Sequence, residues 1–343
     1  MQTEKPVFVP RRGLSGGHRQ TLASFFLSRR IALPPAESRF IEVEPGVQVL
    51  AHCHWQGDRQ SALTVIIVHG LEGSSDSSYM QGIAAKGLAL GMNVVRMNQR
   101  NCGGTEALAP TLYHSGRSQD IAAVAQNLID HDSISRFALA GFSMGGNLVL
   151  KLAGEWGSTG PSQFRAVAAV CPAVNLAASA DALHLPGNRL YEQYFLWKLN
   201  RRLRTKARLF PGAFDVSRLR GIRSLREFDD RITAFYCGFA GADDYYDRAA
   251  AAHVVDRIAV PTFILNAAND PFIRILPETR RKILDNPDIT FLETEDGGHC
   301  SYLALPYGSG NDGRWAESQV VEFLRTMSAR APRSCGNRPR ATF

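Results

Sequence analysis

Arg136-Phe137-Ala138-Leu139-Ala140-Gly141-Phe142-Ser143-Met144-Gly145-Gly146-Asn147-Leu148-Val149-Leu150-Lys151-Leu152-Ala153 is the stretch whose reading decides the fold. Arg136 to Ala140 has the character of a short buried strand. From Gly146 to Ala153 the apolar residues recur at helical spacing. Between them the chain must turn sharply on Ser143, and the flanking glycines leave the room such a turn needs. A serine held there is lifted out of the sheet and aimed over the helix N-terminus. With 30 glycines in the chain, the five-residue pattern alone has little weight. The strand before it and the helix after it make the signal specific.

Two later positions turn the motif into chemistry. Val260 to Asn266 reads as a strand entered through Pro261, and Asn269-Asp270-Pro271 follows its carboxyl end. Ile289 to Glu293 reads as the next strand, followed by Gly297-Gly298-His299. Ser143, Asp270 and His299 thus fall at strand ends on one edge of a sheet, in the chain order of an α/β-hydrolase nucleophile, acid and base. Asp296 is the rival acid, but it precedes His299 by three residues within the same loop. After the first buried strand comes His69-Gly70-Leu71-Glu72-Gly73. The backbone N–H groups of Leu71 and Met144 are the expected oxyanion donors.

The 343 residues suffice for one large α/β domain with an insertion. The net charge of +7 is unevenly spread: Arg330, Arg333, Arg338 and Arg340 lie in an acid-free tail, which leaves +3 for the rest. That balance, without a recognised module, argues against nucleic-acid binding. The six cysteines are scattered with no C-x-x-C, as expected of reduced thiols in the cytoplasm. Neither a signal-peptide h-region nor a membrane-spanning run is apparent. His52-Cys53-His54 puts two imidazoles on one strand face, yet no further ligands stand at supporting spacing. No G-x-G-x-x-G or P-loop occurs. Neither a metal nor a cofactor is expected.

Residues 1–38 form an N-terminal arm. Phe40 to Val43, a Pro45-Gly46 turn and Val47 to Trp55 predict a hairpin. Thr64 to Val68 is a β-branched run suited to burial on both faces. A helix over Tyr79 to Leu90, a strand over Asn93 to Met97, a helix over Ser115 to Asp130 and a strand over Val167 to Val170 complete a β-α alternation. This is the pattern of a mostly parallel, doubly wound sheet. The alternation lapses after Cys171 until about Arg248, so a helical cap is expected at about residues 172–247 within a domain spanning 39–327. Residues 328–343 are expected to be a basic disordered tail. In the cap, Leu190, Tyr191, Tyr194, Phe195 and Trp197 are candidates for an acyl pocket. The neighbouring Lys198, Arg201, Arg202, Arg204, Lys206 and Arg208 make a basic amphipathic helix, which can meet an anionic membrane surface. The plainer reading, a cap helix with a solvated basic face, is preferred.

Several further motifs carry a resemblance. They are Gly17-His18-Arg19-Gln20-Thr21-Leu22, His69-Gly70-Leu71-Glu72-Gly73, Arg100-Asn101-Cys102-Gly103-Gly104-Thr105 and Tyr113-His114-Ser115-Gly116. Leu225-Arg226-Glu227-Phe228-Asp229-Asp230 and Asp244-Tyr245-Tyr246 join them. With the Ser143 elbow, these make residues 10–327 resemble the YheT-like α/β-hydrolases, related to the plant EMB8 and animal ABHD1/ABHD3 proteins. The resemblance implies a serine esterase acting on small-molecule or lipid carboxylic esters, with Ser143, Asp270 and His299 matching the family's triad. It also admits acyl transfer to an alcohol, which the same acyl-enzyme would perform. A non-catalytic binding module is the reading from a different class, and an intact Ser-Asp-His set argues against it.

Overall fold

The computed structural model describes residues 7–27, 29–305 and 312–328. Its strands are β1 Glu37–Glu44, β2 Val47–His54, β3 Thr64–Val68, β4 Asn93–Met97, β5 Phe137–Phe142, β6 Phe164–Val170, β7 Thr262–Ala267 and β8 Ile289–Thr294. The helices are α1 Gly17–Phe26, α2 Ser78–Ala89, α3 Ser118–Asp132, α4 Met144–Trp156, α5 Leu176–Leu183, α6 Arg189–Leu209, α7 Leu225–Phe228, α8 Phe235–Cys237, α9 Ala242–Ala249, α10 Pro277–Asp285 and α11 Trp315–Ser328. None of the described helices is long and apolar enough to cross a membrane. Residues 1–6 of the expected arm, and the expected tail beyond Ser328, lie outside the described residues.

The strands form one eight-stranded sheet in the order β1-β2-β4-β3-β5-β6-β7-β8. The β1/β2 and β2/β4 pairs are antiparallel, and every pair from β4 to β8 is parallel. Alternating side chains feed two cores. Ile66, Val68, Val95 and Leu139 pack with Val124, Leu128, Leu148, Leu152 and Ile283 of α3, α4 and α10. Val65, Ile67, Val94 and Ala138 pack with Met80, Ile83, Val320 and Leu324 of α2 and α11. With helices on both faces, the sheet is doubly wound. From β3 the chain passes first to β4 on one side and then to β5 on the other. The crevice between the β3 and β5 loops is therefore the sheet's switch point, where ligands bind in open α/β folds.

Helix α3 starts three residues later than its periodicity suggests. The amide and hydroxyl of Ser115 are engaged by the Tyr245 hydroxyl of α9, at 3.0 and 2.9 Å, so Ser115 stays in a turn. Between β6 and β7 the chain forms α5 to α9 with short 3₁₀ segments. Leu196, Leu199 and Leu203 of α6 pack there with Leu112, Leu219, Phe228 and Ile232. The basic side chains of α6 are not all solvated. Lys206 is fully buried and donates to the carbonyls of Glu106 (3.0 Å) and Ala109. Burial pulls its ammonium down to about 8.

Candidate active site

Ser143 lies between the last residue of β5 and the first of α4, with φ 55° and ψ −119°. A left-handed non-glycine residue costs on the order of 1–3 kcal/mol and persists only where its surroundings impose it. Here the Ser143 amide donates to Val170 O (2.9 Å), while its carbonyl accepts from Asn147 N and Ala173 N. The flanking glycines are steric requirements. A Cβ on Gly141 would lie 2.3 Å from Gly145 O, and one on Gly145 would lie 2.4 Å from Val68 O.

The loops after β7 and β8 bring the other two residues to the serine. His299 Nε2 is 3.0 Å from Ser143 Oγ, and His299 Nδ1 is 2.8 Å from Asp270 Oδ2. Asp270 is buried, and its Oδ1 accepts the amides of Phe272 (3.1 Å) and Ile273 (2.9 Å). Burial opposes its charge, but His299 and those amides outweigh it and hold the carboxyl below its ordinary range. Asp296 faces elsewhere. It accepts from Ser15 Oγ (2.8 Å), Gly16 N (2.7 Å), Asn269 Nδ2 (2.9 Å) and Gly297 N (2.7 Å). An imidazole placed like that of His299 can take the serine proton while a carboxylate steadies the imidazolium.

Among the described residues, neither the Leu71 nor the Met144 amide has a protein acceptor. The two loops nearly touch, since a Cβ on Gly70 would sit 3.1 Å from Ser143 Cβ. Burial lowers the His69 imidazole to about 4. In its neutral form it donates from Nδ1 to Gly70 O (2.8 Å) and accepts the Gln99 amide at Nε2 (3.1 Å). The sequence shows Glu72 within the His69 to Gly73 motif but assigns it no role. Its φ is 56°, and its carboxylate is gripped by Arg202 Nε and Nη2 of α6 at 2.8 and 2.9 Å. The Tyr113 hydroxyl also donates to it at 2.7 Å, and Lys198 donates to its carbonyl. Helix α6 thereby holds the loop that carries Leu71. The arm is a second omission: Thr21 Oγ1 of α1 accepts the His299 amide (2.9 Å), and buried Gln20 bridges the Leu303 amide and carbonyl. The conspicuous Gly17 to Leu22 motif was the available signal.

A cavity opens beside Ser143 and Met144, walled by Leu112, Leu176, Leu183, Phe195, Leu199, Leu203 and Phe228. Asp229 lines it from the π-helical turn Asp229–Ala234. Burial pushes its carboxyl up to about 6, although Thr233 (2.7 Å) and Tyr246 (2.8 Å) donate to it. Of the expected pocket residues, only Phe195 lines this cavity. The inward stripe of α6 is Phe195, Leu199, Arg202 and Leu203. Leu190, Tyr194, Trp197 and Arg201 recur at the same period on the outer stripe and are exposed. Tyr191 is not among the residues that wall the cavity; it stacks on His18 and packs against Phe272, which does line it. Helical spacing identifies stripes but does not say which one faces inward.

The fold and this site define an α/β-hydrolase. A family model described as alpha/beta hydrolase fold matches residues 64–304. The Putative esterase YheT of Escherichia coli (strain K12) is 30% identical over 326 residues, covering 93% of each chain. Phospholipase ABHD3 of Mus musculus is 30% identical over 298 residues, 83% of this chain and 70% of its own. The chain belongs to the YheT-like family of α/β-hydrolases. The solved structure of a Pyrococcus furiosus esterase shares the fold, with a TM-score of 0.55 at 17% identity over 88% of this chain and 99% of its own.

Proposed function

We propose that this protein is a serine carboxylesterase that hydrolyses short-to-medium-chain carboxylic esters, lipid esters included, through an acyl-enzyme on Ser143. The continuous chain from Ser143 Oγ through His299 to Asp270, at 3.0 and 2.8 Å, carries the reading. His299 takes the hydroxyl proton as Oγ attacks the ester carbonyl, and Asp270 holds the imidazole tautomer. The amides of Leu71 and Met144 receive the oxyanion. His299 then returns the proton to the leaving alkoxide, and water resolves the acyl-enzyme by the reverse sequence. The helices between β6 and β7 act as the cap, and their apolar cavity takes the acyl chain.

A series of p-nitrophenyl esters of increasing chain length tests this reading. Phe195→Ala and Leu203→Ala should shift the ratio of rates on medium and short esters by about 10–100-fold, since each buried methylene is worth roughly 0.8 kcal/mol. Trp197→Ala, on the outer stripe, should leave the ratio unchanged. Equal ratios in all three variants would remove the acyl chain from this cavity. The cytoplasm is the compartment we assign, because all five cysteines among the described residues are free thiols.

The outer stripe supports a peripheral membrane role. Phe26, Phe25, Tyr194 and Trp197 make successive ring contacts across α1 and α6, and Arg201 covers Trp197. Trp197 is 58% exposed and Phe26 74%. Exposed aromatics beside cations suit an anionic lipid interface. Co-sedimentation with phosphatidylglycerol vesicles should exceed that with phosphatidylcholine, and the Phe25→Ala/Trp197→Ala double variant should lose about tenfold in partitioning. Equal binding by variant and wild type would reject the surface.

A further inference from the structure

Two thiols that the ester chemistry does not use stand against its imidazole. Cys300 Sγ is 3.9 Å from His299 Nε2, and the Cys300 amide donates to Cys171 Sγ at 3.4 Å. The two sulfurs and an imidazole nitrogen all lie within 4.8 Å of one another. Both cysteines are free. Their other polar neighbours are Val170 O, 3.5 Å from Cys300 Sγ, with Gly298 O and the Tyr302 hydroxyl each 3.7 Å from Cys171 Sγ. Cys171 follows β6 with φ 43° and Cys300 follows His299 with φ 57°. Two non-glycine residues are thus held in the left-handed region at one spot, as happens where surroundings over-determine the backbone.

We propose that Cys171, His299 and Cys300 form an inhibitory site for one thiophilic divalent cation, Zn²⁺ being the probe of choice. Tetrahedral zinc, with Zn–S about 2.3 Å and Zn–N about 2.0–2.1 Å, requires its donors to be roughly 3.5–3.8 Å apart. The Cys300–His299 pair stands at 3.9 Å and no pair exceeds 4.8 Å, so small side-chain movements complete the set. Cys300 and His299 are partly exposed, which lets the cation enter from the substrate side, while Cys171 is the buried anchor. On binding, two S–H bonds break, two Zn–S bonds form and two protons leave to solvent. The two thiolates neutralise the cation. His299 Nε2 donates its lone pair to the metal and can no longer accept the Ser143 proton. Calcium and magnesium, which prefer oxygen donors, should not occupy the site.

The inhibition rests on the proposed role of His299, but metal binding does not, so the two are tested separately. Equilibrium dialysis with Zn²⁺ alone should load about one ion per chain on wild type and on Ser143→Ala. Co²⁺ should give a thiolate-to-cobalt charge-transfer band in both. Zn²⁺ should reversibly suppress p-nitrophenyl ester hydrolysis by about tenfold or more, with recovery in EDTA and no effect of Mg²⁺. Cys300→Ser should retain basal activity yet lose about 30-fold or more in zinc affinity, and Cys171→Ser the same if circular dichroism shows it folded. Sub-stoichiometric zinc on Ser143→Ala, a cobalt complex without the thiolate band, or equal zinc affinity in Cys300→Ser would each overturn the site. Stoichiometric zinc on a chain with no esterase activity would uphold the site and sink the ester chemistry instead.

Discussion

Ser143→Ala is expected to lower ester hydrolysis roughly 10⁴–10⁶-fold, because nucleophile, base and acid act as a unit. The fold should survive the change. The backbone bonds that hold the elbow, from the Ser143 amide to Val170 O and from Asn147 and Ala173 to the Ser143 carbonyl, do not involve the side chain. The hydroxyl itself lies 3.0 Å from His299 Nε2, the proton acceptor of the proposed mechanism. A fluorophosphonate probe should label wild type at Ser143 and leave the variant unlabelled. Turnover retained within about tenfold of wild type, or labelling elsewhere, would remove Ser143 as the nucleophile.

Asp270→Asn should cost on the order of 10⁴ in turnover with little loss of structure. The amide oxygen of asparagine can still accept from Phe272 and Ile273 at the Oδ1 position. At the Oδ2 position, 2.8 Å from His299 Nδ1, it presents an N–H₂ group. That group favours the tautomer protonated at Nε2, which cannot take the serine proton. Asp296→Asn is the matched control and should cost no more than about tenfold, since a carboxamide keeps part of a network that bonds only to loop and arm. Michaelis parameters for both variants decide the matter. If Asp296→Asn were the more damaging of the two, the acid would be Asp296 and the loop after β7 would serve only to support it.

Much of the framework was open to reading because it depends on local rules. The spans of β3 and β4 follow from runs of β-branched and apolar residues buried on both faces, and Thr64–Val68 and Asn93–Met97 are the observed limits. The elbow was legible because Gly141, Ser143 and Gly145 stand within five residues between a strand and a helix, although the contact that requires Gly145 is with Val68 O of β3. Helix α4 starts two residues and strand β6 three residues before their patterns predict, since those starts depend on the bond from Asn147 to the Ser143 carbonyl and on pairing with β5.

Chain order along an alternating β-α sequence was enough to place Ser143, Asp270 and His299 at strand ends on one sheet edge, because parallel strands send every βα loop to the same side. Three things were settled only by packing over long sequence separations. One is the inward stripe of α6: the amphipathic pattern offers two candidate faces, and contact with Leu112, Phe228 and Ile232 selects Leu199 and Leu203 over Tyr194 and Trp197. Another is the support of the site from outside its own motifs, with Arg202 reaching Glu72 and Thr21 reaching the His299 amide across 278 residues. The last is the approach of Cys171 to Cys300, which are 129 residues apart and lie in different βα loops. Local sterics and periodicity act over a few residues and are written in the sequence itself. Which distant side chains meet is decided by how helices settle on the finished sheet, and no short-range pattern encodes that.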